Sequence, residues 1–131
     1  QTFLPYKDFY KTAKCLDYKR LGKQRVEAHQ IIMTLTGRSN GWIHHPIVRM
    51  WQGYEMALMV YFNIISHEWI NRGYQHNMGF FSIHRDEVKY PHWLGREEFH
   101  RSHRSNLLRK DYGYYSFYFD EPIDLPYVWY K

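Results

Sequence analysis

The stretch Asp17-Tyr18-Lys19-Arg20-Leu21-Gly22-Lys23-Gln24-Arg25-Val26-Glu27-Ala28-His29-Gln30-Ile31-Ile32-Met33-Thr34-Leu35-Thr36 decides the fold. On a wheel at ~100° per residue, Leu21, Ala28, Ile31, Ile32 and Leu35 fall within one arc of about 100°. That arc is a core face, and Asp17 is positioned to cap the helix it belongs to. Arg20, Lys23, Glu27 and Gln30 share a neighbouring arc of about 80°. Glu27 therefore projects beside the core with cations one and two turns back. A solvated stripe held by a Lys23–Glu27 pair accounts for this, worth about 0.2–0.5 kcal/mol. Gln24 and Arg25 resist that account, because they point into or near the apolar arc. A buried guanidinium without partners is costly, and polar residues on a core face are the mark of a cleft wall.

Outward from this helix the remaining elements are also helical. Pro5 and Asp8 signal a short helix over Phe9–Lys14. Residues 37–41, Gly37-Arg38-Ser39-Asn40-Gly41, read as a loop. Pro46 suits a first helical position. Apolar or aromatic residues at 47, 51, 54, 58, 61 and 65 keep helical spacing from there towards Arg72-Gly73. Residues 74–92 look irregular. A further helix is predicted over Gly95–Lys110, with basic residues towards its C-terminal end. The segment Tyr112–Lys131 carries Gly113, Pro122, Pro126 and many rings, and reads as extended. The expectation is an all-α fold: one compact domain over 1–131, three main helices, and an aromatic-rich extended C-terminal segment.

Composition narrows the function. The chain has 131 residues, a formal charge of +5, 20% aromatic residues and 9 His. Cations for phosphates, flat rings for bases and titratable groups for chemistry fit a nucleic-acid partner. A small domain that fills its core with Tyr and Trp fits the same numbers. The single cysteine, Cys15, excludes an internal disulfide framework and a zinc site built on several thiolates. No apolar run approaches the ~20 residues of a membrane span. Residues 1–8 lack the charged-then-apolar order of a secretory signal, so a cytoplasmic protein is expected.

Histidines mark two further segments. His44 and His45 sit at a loop-to-helix junction, where N–H groups attract anions. His100 and His103 share a helix face, a spacing that could begin a metal site, but no third ligand is evident and no metal is expected. The run His100-Arg101-Ser102-His103-Arg104-Ser105-Asn106-Leu107-Leu108-Arg109-Lys110 reads as a phosphate-contacting helix anchored by its leucines. A solvated basic face is the plainer alternative.

These pieces resemble a family. Leu21-Gly22-Lys23-Gln24-Arg25-Val26-Glu27 is similar to the first-helix motif, basic residues preceding a Glu, of the pyrimidine-dimer DNA glycosylases of the phage endonuclease V type. The extended start Gln1-Thr2-Phe3-Leu4, the junction Asn40-Gly41-Trp42 followed by His45-Pro46, and the ending Trp129-Tyr130-Lys131 carry the rest, in a divergent branch. The resemblance implies a compact three-helix fold, no metal or other cofactor, and glycosylase with AP-lyase activity on duplex DNA containing a lesion. It implies an α-amino group attacking C1′ to form an imine, followed by β-elimination. Gln1 would supply the amine and Glu27 the acid/base group, with Lys19 or Lys23 as alternative amines.

An α-amino group titrates at about 7.7–8.0 and a lysine at about 10.4. At pH 7.5 roughly a quarter of the former is neutral, against about 0.1% of the latter. A chain terminus is thus a ready nucleophile without burial. Arg20, Lys23, Arg25, His44, His45, His100, His103, Arg104 and Lys110 are the expected DNA contacts, with Trp42 and Trp129 as rings for a nucleotide displaced from the stack. A monomer without membrane contact, nucleoid-associated, is expected. Two competing readings stand beside this one: a non-catalytic nucleic-acid-binding module, and a metal-free nuclease using His45, His100 or His103. The glycosylase reading requires the Gln1 nitrogen to lie beside the Glu27 carboxylate.

Overall fold

The computed structural model describes residues 1–130. Lys131, and with it the last residue of the Trp129-Tyr130-Lys131 ending, lies outside the described residues. Among these the fold is all-α. Its helices are α1 (Phe9–Cys15), α2 (Tyr18–Leu35), α3 (Pro46–Trp51), α4 (Glu55–Asn71), α5 (Glu97–Lys110) and α6 (Tyr112–Tyr115), with a 3-10 turn at Arg85–Glu87. No strand pairing occurs among the described residues. The long helices α2, α4 and α5 are the three main helices expected from the sequence.

Helix α1 starts as expected: the Asp8 carboxylate accepts from the N–H groups of Tyr10 and Lys11 at 2.8 and 3.2 Å. Helix α2 also begins after Asp17, but that side chain makes no cap bond. Its carboxylate instead accepts from the Tyr115 hydroxyl and from Arg20. A partner 98 residues away thus outcompetes the local cap.

The continuous helix expected from Pro46 towards Arg72 is broken. Gly53 adopts φ +87, left-handed backbone that only glycine takes without strain, and α4 restarts at Glu55. The regular spacing reads through the break because Ile47, Trp51, Leu58, Tyr61 and Ile65 are all buried in the same core. Helices α2 and α4 form the main packed pair. Gly22 permits it, since a Cβ there would stand 2.9 Å from the Trp69 ring.

Aromatic residues serve both of the roles their abundance suggests. Trp51, Trp93, Tyr61, Tyr115, Phe62 and Phe99 are fully buried, and Trp51 meets Trp93 edge-on at 5.0 Å. Trp42, Trp129, Tyr112 and Phe117 remain exposed.

The C-terminal segment opens with the short helix α6 and then runs irregularly along α5. The Ser105 hydroxyl donates to Pro122 O and accepts from the Leu125 N–H. Asn106 Nδ2 donates to Leu125 O at 3.2 Å, and the Val128 N–H reaches Ser102 Oγ at 3.3 Å. Small polar side chains on α5 thus hold a segment that has no backbone partner of its own. On the side of α5 facing the chain start, His100 and His103 bind Leu4. Much of the helix expected to face phosphates is therefore covered.

Candidate active site

Residues 1–4 are extended and enter the core between α2, α4 and α5. The Phe3 N–H donates to Gln24 Oε1 at 2.9 Å, and Phe3 O accepts from the Tyr61 hydroxyl at 2.8 Å. The Leu4 N–H donates to His103 Nδ1 at 3.0 Å, and Leu4 O accepts from His100 Nδ1 at 2.8 Å. The Thr2 hydroxyl receives Trp51 Nε1 at 3.1 Å. Gln1 O accepts from Gln24 Nε2 at 2.8 Å.

These contacts set the Gln1 nitrogen 2.9 Å from Glu27 Oε2. Both residues are partly open, with side chains 20% and 27% exposed, so the pair lies at a surface a substrate can reach. The geometric requirement of the sequence reading is met.

Several residues border the pair. Arg20 and Lys23 lie on the same side of α2, Arg20 leaning on Asp17 at 3.3 Å and Lys23 exposed. Burial pushes the Tyr127 hydroxyl up to about 12, with Arg109 and Arg20 lowering it and Glu27 raising it. The Tyr127 ring stands edge-on to His103 at 5.3 Å, and no local pattern marks it. A chain of rings continues outward: Tyr127 to Trp129 at 5.8 Å, Trp129 to His45 at 6.2 Å, His45 to Trp42 at 6.1 Å. Trp42 has φ 61, a left-handed backbone that a tryptophan adopts only at a cost. Gly41 lies against Gln30, one turn beyond Glu27.

The expected DNA contacts divide. His44 is exposed, and His45 is exposed while its Nδ1 accepts from the Ile47 N–H at 3.0 Å, capping α3. Lys110 is exposed, its Nζ 5.9 Å from the Phe3 ring.

Four expectations are corrected. Arg25 is buried, its guanidinium 4.8 Å above the Trp69 ring and its Nε donating to His76 Nδ1 at 3.1 Å. It braces the 74–83 loop and faces no groove. His100 and His103 are 3% and 1% exposed. Because His100 Nε2 accepts from the Gly95 N–H, its Nδ1 carries the proton given to Leu4 O. Burial lowers His100 and holds His103 down to about 3, so both are neutral at physiological pH. They position the chain start and cannot meet a phosphate. Arg104 binds Pro5 O and Glu121 at 2.8 Å each, and Glu97 as well. It clasps three segments together, with each of its three nitrogens engaged within the protein. A nuclease built on His100 and His103 loses its residues by the same burial. Gln24 is no cleft wall either, being fully buried against residues 1–3.

Among the described residues no group of three or more His, Cys, Asp or Glu could hold a metal ion. No helix is long and apolar enough to cross a membrane.

No curated protein and no solved structure matches the chain. A family model described as pyrimidine dimer DNA glycosylase matches residues 1–82, the part that carries Gln1, Gln24, Glu27 and the 42–45 junction.

Proposed function

Because the chain belongs to the pyrimidine dimer DNA glycosylase family, we propose that it removes dimerised pyrimidines by attack of the Gln1 α-amine on C1′ and then cuts the strand by β-elimination. The contact of 2.9 Å between the Gln1 nitrogen and Glu27 supports this reading.

The neutral amine adds to C1′ of one nucleotide of the lesion. The N-glycosidic bond breaks, and its electron pair leaves with the base, which takes up a proton. The C1′–O4′ bond then breaks, O4′ leaving with the electron pair and taking up a proton from water, and the open sugar is held as a protonated imine. The Glu27 carboxylate, poised at the nitrogen, stabilises the positive charge that develops there. Glu27 then accepts a proton from C2′ as the C3′–O bond breaks and the 3′ strand leaves with its phosphate. Water hydrolyses the imine and frees the amine.

Arg20, Lys23 and Lys110 supply the phosphate contacts, with His44 and His45 at the rim. These contacts position the duplex and carry no sequence information. Trp42 and Trp129, both exposed, offer flat surfaces for a base taken out of the stack. The partner is duplex DNA bearing the lesion.

The test uses ultraviolet-irradiated and unirradiated duplexes with borohydride present. Cleavage of the irradiated duplex alone, together with a covalent enzyme–DNA adduct, is the expected outcome. Cleavage of both duplexes without an adduct contradicts the reading, and so does binding without cleavage.

A further inference from the structure

Residues 1–4 lie extended with no neighbouring strand. Gln24 takes the place of one. Its Nε2 donates to Gln1 O at 2.8 Å while its Oε1 accepts from the Phe3 N–H at 2.9 Å. One carboxamide thus serves an acceptor and a donor two residues apart, as the edge of a strand would. The peptide itself fixes the orientation of the amide, and the single proton of the Tyr61 hydroxyl lies between Gln24 Oε1 at 2.5 Å and Phe3 O at 2.8 Å. Reversing the amide would set an NH2 group against the Phe3 N–H, donor facing donor. Gln24 and Tyr61 are both fully buried, so water does not compete for these bonds.

A carboxamide buried on the core face of α2 is costly unless its hydrogen bonds are made. A helix that only packed would carry Leu or Met there. Gln24 and Glu27 are three residues apart on α2 and so lie on one side of it. One grips the carbonyl of Gln1 and the other meets its nitrogen. Only the Gln1 Cα and carbonyl carbon separate those atoms, so a single rigid helix holds both ends of the residue.

We propose that Gln24 is a positioning residue, whose carboxamide holds the Gln1 peptide so that its nitrogen stays aimed at the reacting carbon. This rests on the reading of the Gln1 amine as nucleophile. A misplacement of about 1 Å can cost a hundredfold in rate, and Gln24 prevents it.

The experiment is single-turnover borohydride trapping on an abasic-site duplex, from pH 5.5 to pH 8.5, for the full chain and for Gln24→Glu. The substitution keeps the acceptor for Phe3 and puts an oxygen where Gln1 O needs a donor. At the alkaline end trapping should slow about tenfold or more, with duplex affinity unchanged. As pH falls the introduced carboxyl gains a proton and again donates to Gln1 O. The ratio of variant to parent rate should therefore climb towards one. A flat ratio, or parallel losses of rate, affinity and melting temperature, overturns the proposal and leaves the amine reading standing. Gln24→Met keeps the bulk of the side chain and removes both of its bonds to residues 1–3, so it decides the matter if Gln24→Glu does not fold. It should slow trapping without weakening affinity, and a parental trapping rate overturns the proposal. If the unsubstituted chain traps no DNA at all, the amine reading itself fails and this proposal with it.

Discussion

The nitrogen of Gln1 and the carboxylate of Glu27 meet at 2.9 Å across 26 residues of sequence. Neither group finds the other by local folding. The chain start is threaded through the core, and Gln24, Tyr61, His100, His103 and Trp51 hold it there. The buried polar residues near the site are therefore the supports of the first residues of the chain.

Glu27→Gln keeps the shape of the side chain and removes its charge and its capacity as a base. Turnover on dimer-containing DNA should fall by about 10²–10⁴, while affinity for the same duplex stays within a few-fold. Gel-based cleavage and a binding titration separate the two quantities. Full activity in the variant would remove Glu27 from the mechanism.

Lys23 and Arg104 should behave oppositely. Lys23 is exposed, so Lys23→Ala should lower the slope of log K against log salt by about 0.9 and leave stability unchanged. Arg104 is committed to Pro5, Glu97 and Glu121. Arg104→Ala should leave the salt slope as it was and cost about 2–3 kcal/mol of stability, because Glu121 is left unpaired in a mostly buried setting. Thermal melts and salt titrations of both variants check this.

Acid should unfold the protein partly through His103. Burial holds its folded pKa at about 3, below the ordinary 6.5. The unfolded chain therefore binds more protons between those values. The stabilisation is complete above about pH 6.5 and is lost as pH falls towards 3. At ~1.36 kcal/mol per unit, the loss amounts to about 4–5 kcal/mol at most. Denaturant melts from pH 7 to pH 4 should show this decline, and His103→Gln should flatten it. An equal slope in the variant would assign the acid sensitivity elsewhere.

The main architecture could be read from the sequence because α2 and α4 carry apolar residues at helical spacing and α5 gathers its basic residues towards its C-terminal end. The pairing of Gln1 with Glu27 was also legible, through the first-helix motif. The roles of His100, His103 and Arg104 were not. On a wheel they are polar residues of a basic helix, and only the threading of residues 1–5 and the tail against α5 makes them internal. Tyr127 reaches His103 from the far end of the chain for the same reason. The break at Gly53 escaped notice because burial on both sides keeps the apolar spacing regular across it. Asp17 looked like a cap, and a distant tyrosine claimed it.

Trp42 offers a test of the ring surface. Its left-handed backbone at φ 61 is one that glycine tolerates freely. Trp42→Gly should relieve local strain and leave the melting temperature close to the parent's. Affinity for lesion DNA should fall by about 1–3 kcal/mol, the worth of one stacked base. Unchanged affinity in a titration against irradiated duplex would exclude the ring from the contact.

The central claim is that the attacking nitrogen belongs to Gln1. Borohydride-trapped enzyme–DNA complex can be digested and the modified peptide sequenced by mass spectrometry, on protein whose intact mass shows Gln1 with a free α-amine. The sugar remnant should lie on the nitrogen of Gln1, and protein in which that amine is blocked should give no adduct. A remnant on Lys19 or Lys23, or undiminished trapping by the blocked protein, would contradict it.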